Sequence, residues 1–183
     1  MILKQNNLNI TIYTLILLLA FGLTANAAFS QGDEDLDPLT DRVKQAIRNL
    51  PYYTVFDALS VEVDGTTAII SGKVTNPVLK NTAEAAARKV SDIQEVENNI
   101  EVLPFSPNDD RIRLDVYRSI YYHPDFTRYA TRAYPPIHII VNNGDVHLEG
   151  VVGTEADKTL AKIRANSVPG VFSVTNNLRV ERD

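Results

Sequence analysis

The stretch that decides the fold is IHIIVNNGDVHLEGVV, residues 137–152. Two runs rich in β-branched residues flank an Asn-Gly pair, which predicts a hairpin because a type I′ turn needs positive φ at both central residues. With residues 143 and 144 as the turn, Ile139 lies opposite Leu148, and alternate side chains share one apolar face. That face needs a covering layer, which the rest of the chain must supply.

The composition predicts a small globular protein and excludes several kinds of site. The chain has 183 residues, 44% of them hydrophobic, and no cysteine. Without cysteine there is no disulfide, thiolate zinc site or cysteine nucleophile. The formal charge is −5, and an acidic balance argues against nucleic-acid binding.

Residues 1–27 have the pattern of a secretory signal peptide. Lys4 gives a positive start, an apolar run follows over residues 10–23, and Ala25-Asn26-Ala27 is a small-x-small cleavage site. We expect cleavage after Ala27 and a periplasmic protein of formal charge −6, with an uncleaved anchor as the alternative. Residues 28–36 are acidic and poor in apolar side chains, so we expect a disordered lead.

The rest of the chain predicts the order helix, strand, strand, helix, strand twice. In the first copy the elements are a helix after Asp37-Pro38, strands over 59–63 and 68–74, a helix after Asn76-Pro77 and a strand over 96–102. The loop at Asp64-Gly65 is expected to be slightly longer than the one at Asn143-Gly144.

The second copy follows a short linker over residues 104–108. Asp109 or Asp110 is expected to cap its first helix, and Thr154 with Asp157 resembles a capping box. We predict that the buried stripe of the next helix is Ala156, Leu160 and Ile163, and that a single strand over 174–180 closes the unit.

A constant offset shows that the two halves are an internal repeat. Gly72 and Gly150 are 78 residues apart, as are Asn98 and Asn176. We therefore predict an α+β protein of two tandem αββαβ domains, residues 37–103 and 109–183, each with two helices on one face of a three-stranded mixed sheet. Structural roles are predicted for the turn and inward-facing residues Gly65, Gly72, Asn98, Gly144, Gly150 and Asn176, with a helix passing close to Gly72 and Gly150.

This pattern resembles the BON domain family, named for bacterial osmotically inducible periplasmic and nodulation proteins. The motifs are Val63-Asp64-Gly65, Ile70-Ser71-Gly72 and residues 96–100, with counterparts in residues 143–150 and 168–178. Copy one departs at Ser91-Asp92-Ile93, where the family usually has a glycine. The resemblance implies a non-catalytic envelope protein, since several members bind phospholipid or larger envelope proteins and one branch senses potassium. No catalytic residue can be transferred from it.

Copy two carries an insertion over residues 121–136 that is rich in aromatic residues and arginine. Aromatic rings settle at the headgroup level of a bilayer, and each arginine near anionic lipid contributes about 1 kcal/mol. The same residue types are enriched at protein interfaces. The candidate lipid- or partner-binding residues are Tyr121, Tyr122, Phe126, Arg128, Tyr129 and Arg132. The alternative is that the tyrosines pack locally over the core and the arginines are solvated.

The outer face of the second hairpin carries His138, His147 and Glu149, with His138 opposite Glu149. A polar cross-strand pair explains this better than a zinc site, so no metal site is assigned. Ile140 and Ile69 share the outer faces, and their expected exposure indicates that these faces meet each other or a partner.

No motif in the sequence supports an enzyme or a bound cofactor. The leading hypothesis is an exported, non-enzymatic adaptor that binds anionic phospholipid through its second domain. The alternatives are a protein-interaction or oligomerising module without lipid contact, and a cation-binding sensor.

Overall fold

The computed structural model describes residues 37–181, so the predicted signal peptide and acidic lead lie outside the described residues. Its elements are α1 (Pro38–Arg48), β1 (Ala58–Asp64), β2 (Thr67–Val74), α2 (Pro77–Ala87), β3 (Glu95–Val102), α3 (Pro107–Tyr121), a 3-10 turn (Pro124–Phe126), α4 (Thr127–Ala130), β4 (Ile137–Asn142), β5 (Asp145–Val152), α5 (Glu155–Asn166), β6 (Ser173–Asn176) and β7 (Arg179–Val180). None of these helices is long and apolar enough to cross a membrane.

Each domain contains one mixed sheet, which confirms the predicted fold class. β1 pairs antiparallel with β2, and β2 pairs parallel with β3. In the second sheet β5 lies between β4, which is antiparallel, and β6, which is parallel. A helix connects each parallel pair, as a crossover requires. The predicted last strand is interrupted, because Asn177 and Leu178 separate β6 from β7.

Both hairpins turn in two residues. Asn143 has φ 53° and Gly144 has φ 82°, so the predicted type I′ turn is confirmed, with Ile139 opposite Leu148. In the first hairpin Asp64 pairs directly with Thr67. The expectation of a longer first loop was therefore wrong, because a two-residue turn matches the strand twist there as well.

The repeated glycines permit a close approach between strands. Gly72 and Gly150 have φ 127° and 115°. A Cβ at Gly72 would collide with the carbonyl oxygen of Ala58, and one at Gly150 with that of Pro136. The space is therefore taken by the chain at the start of β1 or β4. The expectation that a helix would occupy it was wrong.

The repeated asparagines tie helices to strands. The side-chain amide of Asn98 donates to the carbonyl of Lys80 at 2.8 Å, and that of Asn176 donates to the carbonyl of Lys158 at 2.7 Å. Their Oδ1 atoms accept from backbone N–H groups two residues later. Half-buried polar groups are thereby satisfied in the same way in both domains.

The buried stripe of α5 differs from the predicted one. Asp157, Ala161 and Ala165 face the core, whereas Ala156 and Ile163 are exposed and Leu160 is half-buried. The buried face of α5 is therefore shifted by one position from the predicted one and includes the Asp157 carboxylate, whose partners are described below. A pattern of apolar residues alone cannot anticipate a buried carboxylate.

A loop of the first domain, residues 49–57, contacts the second domain. The carbonyl of Val55 accepts from the Ile139 N–H at 2.7 Å. Phe56 packs against the second core, with its ring 6.0 Å from that of Tyr117. Ile140, which was expected to be exposed, is only 2% exposed. Ile140 is covered because β1 and β4 lie close together, which agrees with the expectation that the outer face of this sheet meets another surface.

Candidate functional site: surfaces of the second domain

The insertion over residues 121–136 folds inward. Phe126 is 0% exposed and Tyr129 1% exposed, and both belong with Tyr121 to the second core. Side chains buried this completely cannot contact a membrane or a partner. The predicted binding role of these three residues was therefore wrong, because their rings cover the end of a small core.

Tyr121 closes the edge of β4. Its hydroxyl accepts from the Ile137 N–H at 3.0 Å and donates to the Ile137 carbonyl at 2.7 Å. Burial raises the pKa of the Tyr121 phenol, and the bond to Ile137 opposes that shift only in part. A neutral phenol thus takes the place of a neighbouring strand.

A second cluster surrounds the Asp157 carboxylate at the start of α5. Its Oδ2 accepts from the hydroxyls of Thr154 at 2.6 Å and Tyr129 at 2.9 Å, and pairs with Arg128. The Tyr129 hydroxyl also accepts from the Gly153 N–H at 2.7 Å. Burial by itself would raise the pKa of Asp157, but these bonds and the Arg128 charge together lower it.

Little of the predicted binding surface remains free. Tyr122 is 75% exposed, and about half of the Arg128 side chain is exposed despite its ion pair. Arg132 lies over the Tyr129 ring, 5.5 Å from its centroid. Of the six predicted residues, one exposed ring and two arginines therefore remain at the surface.

The opposite end of the second domain carries two exposed phenylalanines that no sequence pattern indicated. Phe105 is 88% exposed and Phe172 is 84% exposed. Phe105 directly precedes Ser106, which caps α3 by accepting from the Asp109 N–H at 3.2 Å. Both rings are therefore free to contact a membrane or a partner.

Hydrogen bonds hold this end together. The buried Asp109 carboxylate accepts from the N–H groups of Asn143 and Gly144, both at 2.9 Å. The Phe172 N–H donates to the Gly144 carbonyl at 2.9 Å. The predicted capping role of Asp109 was wrong, since Ser106 caps α3 and Asp109 fixes the hairpin turn. We call this end, marked by Phe105, Arg111 and Phe172, the apex.

Most charges near the apex are paired. Arg111 is half-exposed, lies 3.6 Å from the Asp115 carboxylate and donates to Asn108 at 3.1 Å. A Cβ at Gly170 would lie only 2.9 Å from Arg111 Nη2, which places the guanidinium over the loop that leads to Phe172. The apex thus combines two free rings with one accessible cation.

A second ion pair lies behind the apex. Arg113, which is buried, pairs with Asp110 and donates to the Val141 carbonyl at 2.6 Å. Its guanidinium therefore supports β4 from inside the domain. It is not available to a ligand.

The outer face of the second hairpin has the predicted pairing. His138 lies opposite Glu149, whose Oε1 accepts from the Asn177 side chain at 2.7 Å. In residues 37–181 no three His, Asp or Glu side chains are grouped so that they could hold a metal ion.

Two small α+β domains, with most of their buried polar side chains held in structural hydrogen bonds and two phenylalanines exposed at one end, have the features of a binding module. The chain belongs to the BON domain family, since the BON domain model matches residues 35–104 and again residues 108–182. Membership in this family suggests a binding role without catalysis.

The fold has remote likenesses among solved structures. One is the C-terminal domain of CdsD, a structural protein of the type III secretion system of Chlamydia trachomatis, with 12% identity over 81% of this chain and 100% of that chain and a TM-score of 0.28. A second CdsD structure has 11% identity over 78% and 92%, with a TM-score of 0.31. Comparison with curated proteins finds no match.

Proposed function

We propose that this protein is an exported, non-catalytic binding protein whose second domain attaches to phospholipid membranes through the apex. The observation that carries this proposal is the pair of almost fully exposed phenylalanines, Phe105 and Phe172, at one hydrogen-bonded end. Aromatic side chains favour the membrane interface, and an adjacent arginine favours phosphate. The proposed location is the periplasm, supported by the signal-peptide pattern of residues 1–27.

The expected affinity comes mainly from the two rings. Removing a phenylalanine side chain from water contributes about 1.5–3 kcal/mol, so two rings contribute at least about 3 kcal/mol. At about 1.4 kcal/mol per factor of ten, their loss weakens binding about a hundredfold. Arg111 adds about 1 kcal/mol on anionic lipid.

The first prediction is that the apex binds vesicles. The mature chain is sedimented with phosphatidylcholine vesicles and with vesicles that also contain phosphatidylglycerol. Phe105→Ala/Phe172→Ala is expected to lose binding to both, because the apolar contribution does not depend on lipid charge. Tyr52→Ala/Tyr122→Ala, which removes two other exposed rings, is expected to bind like the wild type.

The outcomes separate the possible surfaces. Wild-type binding by the Phe105/Phe172 variant would refute the apex as the membrane site. Loss of binding only in Arg128→Glu/Arg132→Glu would move the site to the insertion. If no form of the protein sediments with vesicles, the lipid proposal fails and a protein partner takes its place.

A further inference from the structure

His138 lies where the two domains meet. Its ring is 5.8 Å from the ring of Tyr53, which belongs to the first-domain loop over residues 49–57. The next residue, Ile139, donates its N–H to the Val55 carbonyl of the same loop at 2.7 Å. Any change in the charge of His138 therefore acts directly on the contact between the domains.

The imidazole is held in its neutral form. Nδ1 of His138 is buried and has no hydrogen-bond partner among residues 37–181. Burial lowers the pKa of His138, although the backbone carbonyls of Asp57 and Thr54 favour the protonated ring. A charged imidazole removed from water in this way would be costly.

The charges that face His138 lie on the loop over residues 49–57, on α1 and on β5. From the loop, the fully buried Asp57 carboxylate accepts four hydrogen bonds, two each from Thr54 and Thr75. Its charge favours protonation of His138, whereas that of Arg48, at the end of α1, opposes it.

The remaining titratable neighbours lie on the loop and on the same sheet. Glu149 on β5 is opposite His138 and accepts from Asn177. Burial raises the pKa of Tyr53, so its phenol stays neutral in mild acid. His147 lies two pairs further along the hairpin, opposite Ile140.

We propose that His138 makes the contact between the two domains sensitive to mild acid, so that protonation of its ring releases the loop over residues 49–57 from β4. Because a released His138 regains its ordinary affinity for protons, the separated form binds more protons than the joined form. The contact is therefore complete above the ordinary histidine pKa of about 6.5 and weakens as the pH falls below it.

Hydrogen exchange tests this proposal on the full mature chain. The Ile139 amide reports the contact, since its N–H bonds to Val55 across the domain boundary. Its protection factor, corrected for the intrinsic rate, is expected to fall at least about threefold from pH 7 to pH 5. In His138→Phe the protection factor should be the same at both pH values.

The chain provides matched controls, because it has only three histidines. His123→Gln and His147→Gln should show the wild-type pH dependence, and the Val116 amide within α3 reports whether a variant unfolds globally. An unchanged wild-type protection factor at pH 5, or an equal fall in His138→Phe, would overturn the proposal. Neither result bears on vesicle binding by the apex.

Discussion

At the scale of single residues, the same amino-acid types serve opposite purposes in neighbouring positions. Tyr121 and Tyr122 are adjacent, yet Tyr121 is buried with its hydroxyl on Ile137, whereas Tyr122 is 75% exposed. Tyr121 lies in the last turn of α3 on the side that faces the sheet, whereas Tyr122 is the residue that ends the helix and its ring lies in solvent.

We predict that Tyr121→Phe destabilises the protein. The change leaves the Ile137 N–H and carbonyl without a partner at a buried strand edge, which costs about 1–3 kcal/mol for each such group. The free energy of unfolding, measured in urea, should fall accordingly, whereas Tyr122→Phe should change it by less than about 0.5 kcal/mol. Equal stability of the two variants would contradict the role given to Tyr121.

At the scale of secondary-structure elements, the start of α5 depends on a carboxylate. Asp157 lies on the buried face of α5 and joins this helix to α4 through Tyr129 and Arg128. The local capping bond from the Asp157 N–H to Thr154, at 3.0 Å, agrees with the predicted capping box. In a full capping box the Asp157 carboxylate would accept from the backbone N–H of Thr154. Here it accepts from the Thr154 hydroxyl.

We predict that Asp157→Asn lowers stability and flattens its dependence on acid. Because the pKa of Asp157 is lowered in the folded state, its contribution is present above the ordinary aspartate pKa of about 3.9 and is lost as the pH falls through the lower folded value. Urea unfolding of the variant from pH 7 to pH 3 should therefore lose less stability than the wild type. The same slope in both proteins would exclude this contribution.

The features that could be predicted from sequence are those set by local geometry. Asn143 and Gly144 specify their own turn, and alternation then fixes the face of Ile139 and Leu148. The constant spacing identified Gly72 and Gly150 as a matched pair. It did not predict which backbone group packs against them.

The features that could not be predicted depend on which surfaces meet. In the sequence, Phe126 and Tyr129 resemble exposed aromatic residues. Only the tertiary structure shows that their rings cover the end of the core. Phe105 and Phe172 lie in loops flanked by proline or glycine, where no periodicity indicates the direction of a side chain. Their exposure is a tertiary property, and the only local signal was a large apolar residue in a loop.

At the scale of the whole molecule, the two domains are joined by more than the short connection between β3 and α3. Phe56 inserts from the first domain against the second core, and the Tyr134 hydroxyl donates to the Asn49 side chain at 2.6 Å. The insertion, expected to serve adhesion, thus also contacts the first domain.

We predict that Phe56→Ala uncouples the domains. Loss of a partly buried ring costs somewhat less than the about 3–5 kcal/mol measured for buried phenylalanines, and the lost contacts lie at the domain boundary. Thermal unfolding should broaden or split into two transitions, whereas Phe105→Ala should leave a wild-type curve. A single sharp transition in Phe56→Ala would show that the domains are coupled by other contacts.

The hydrogen-bonded edge of β4 limits how copies of the chain can associate. One side of this strand is occupied by the Tyr121 hydroxyl, the Val55 carbonyl and the Arg113 guanidinium. No extended segment from another molecule can add there without displacing all three. Fibre growth by strand addition would have to begin elsewhere, and on β3 the exposed Glu95, Glu97 and Glu101 would set like charges against each other in any self-pairing.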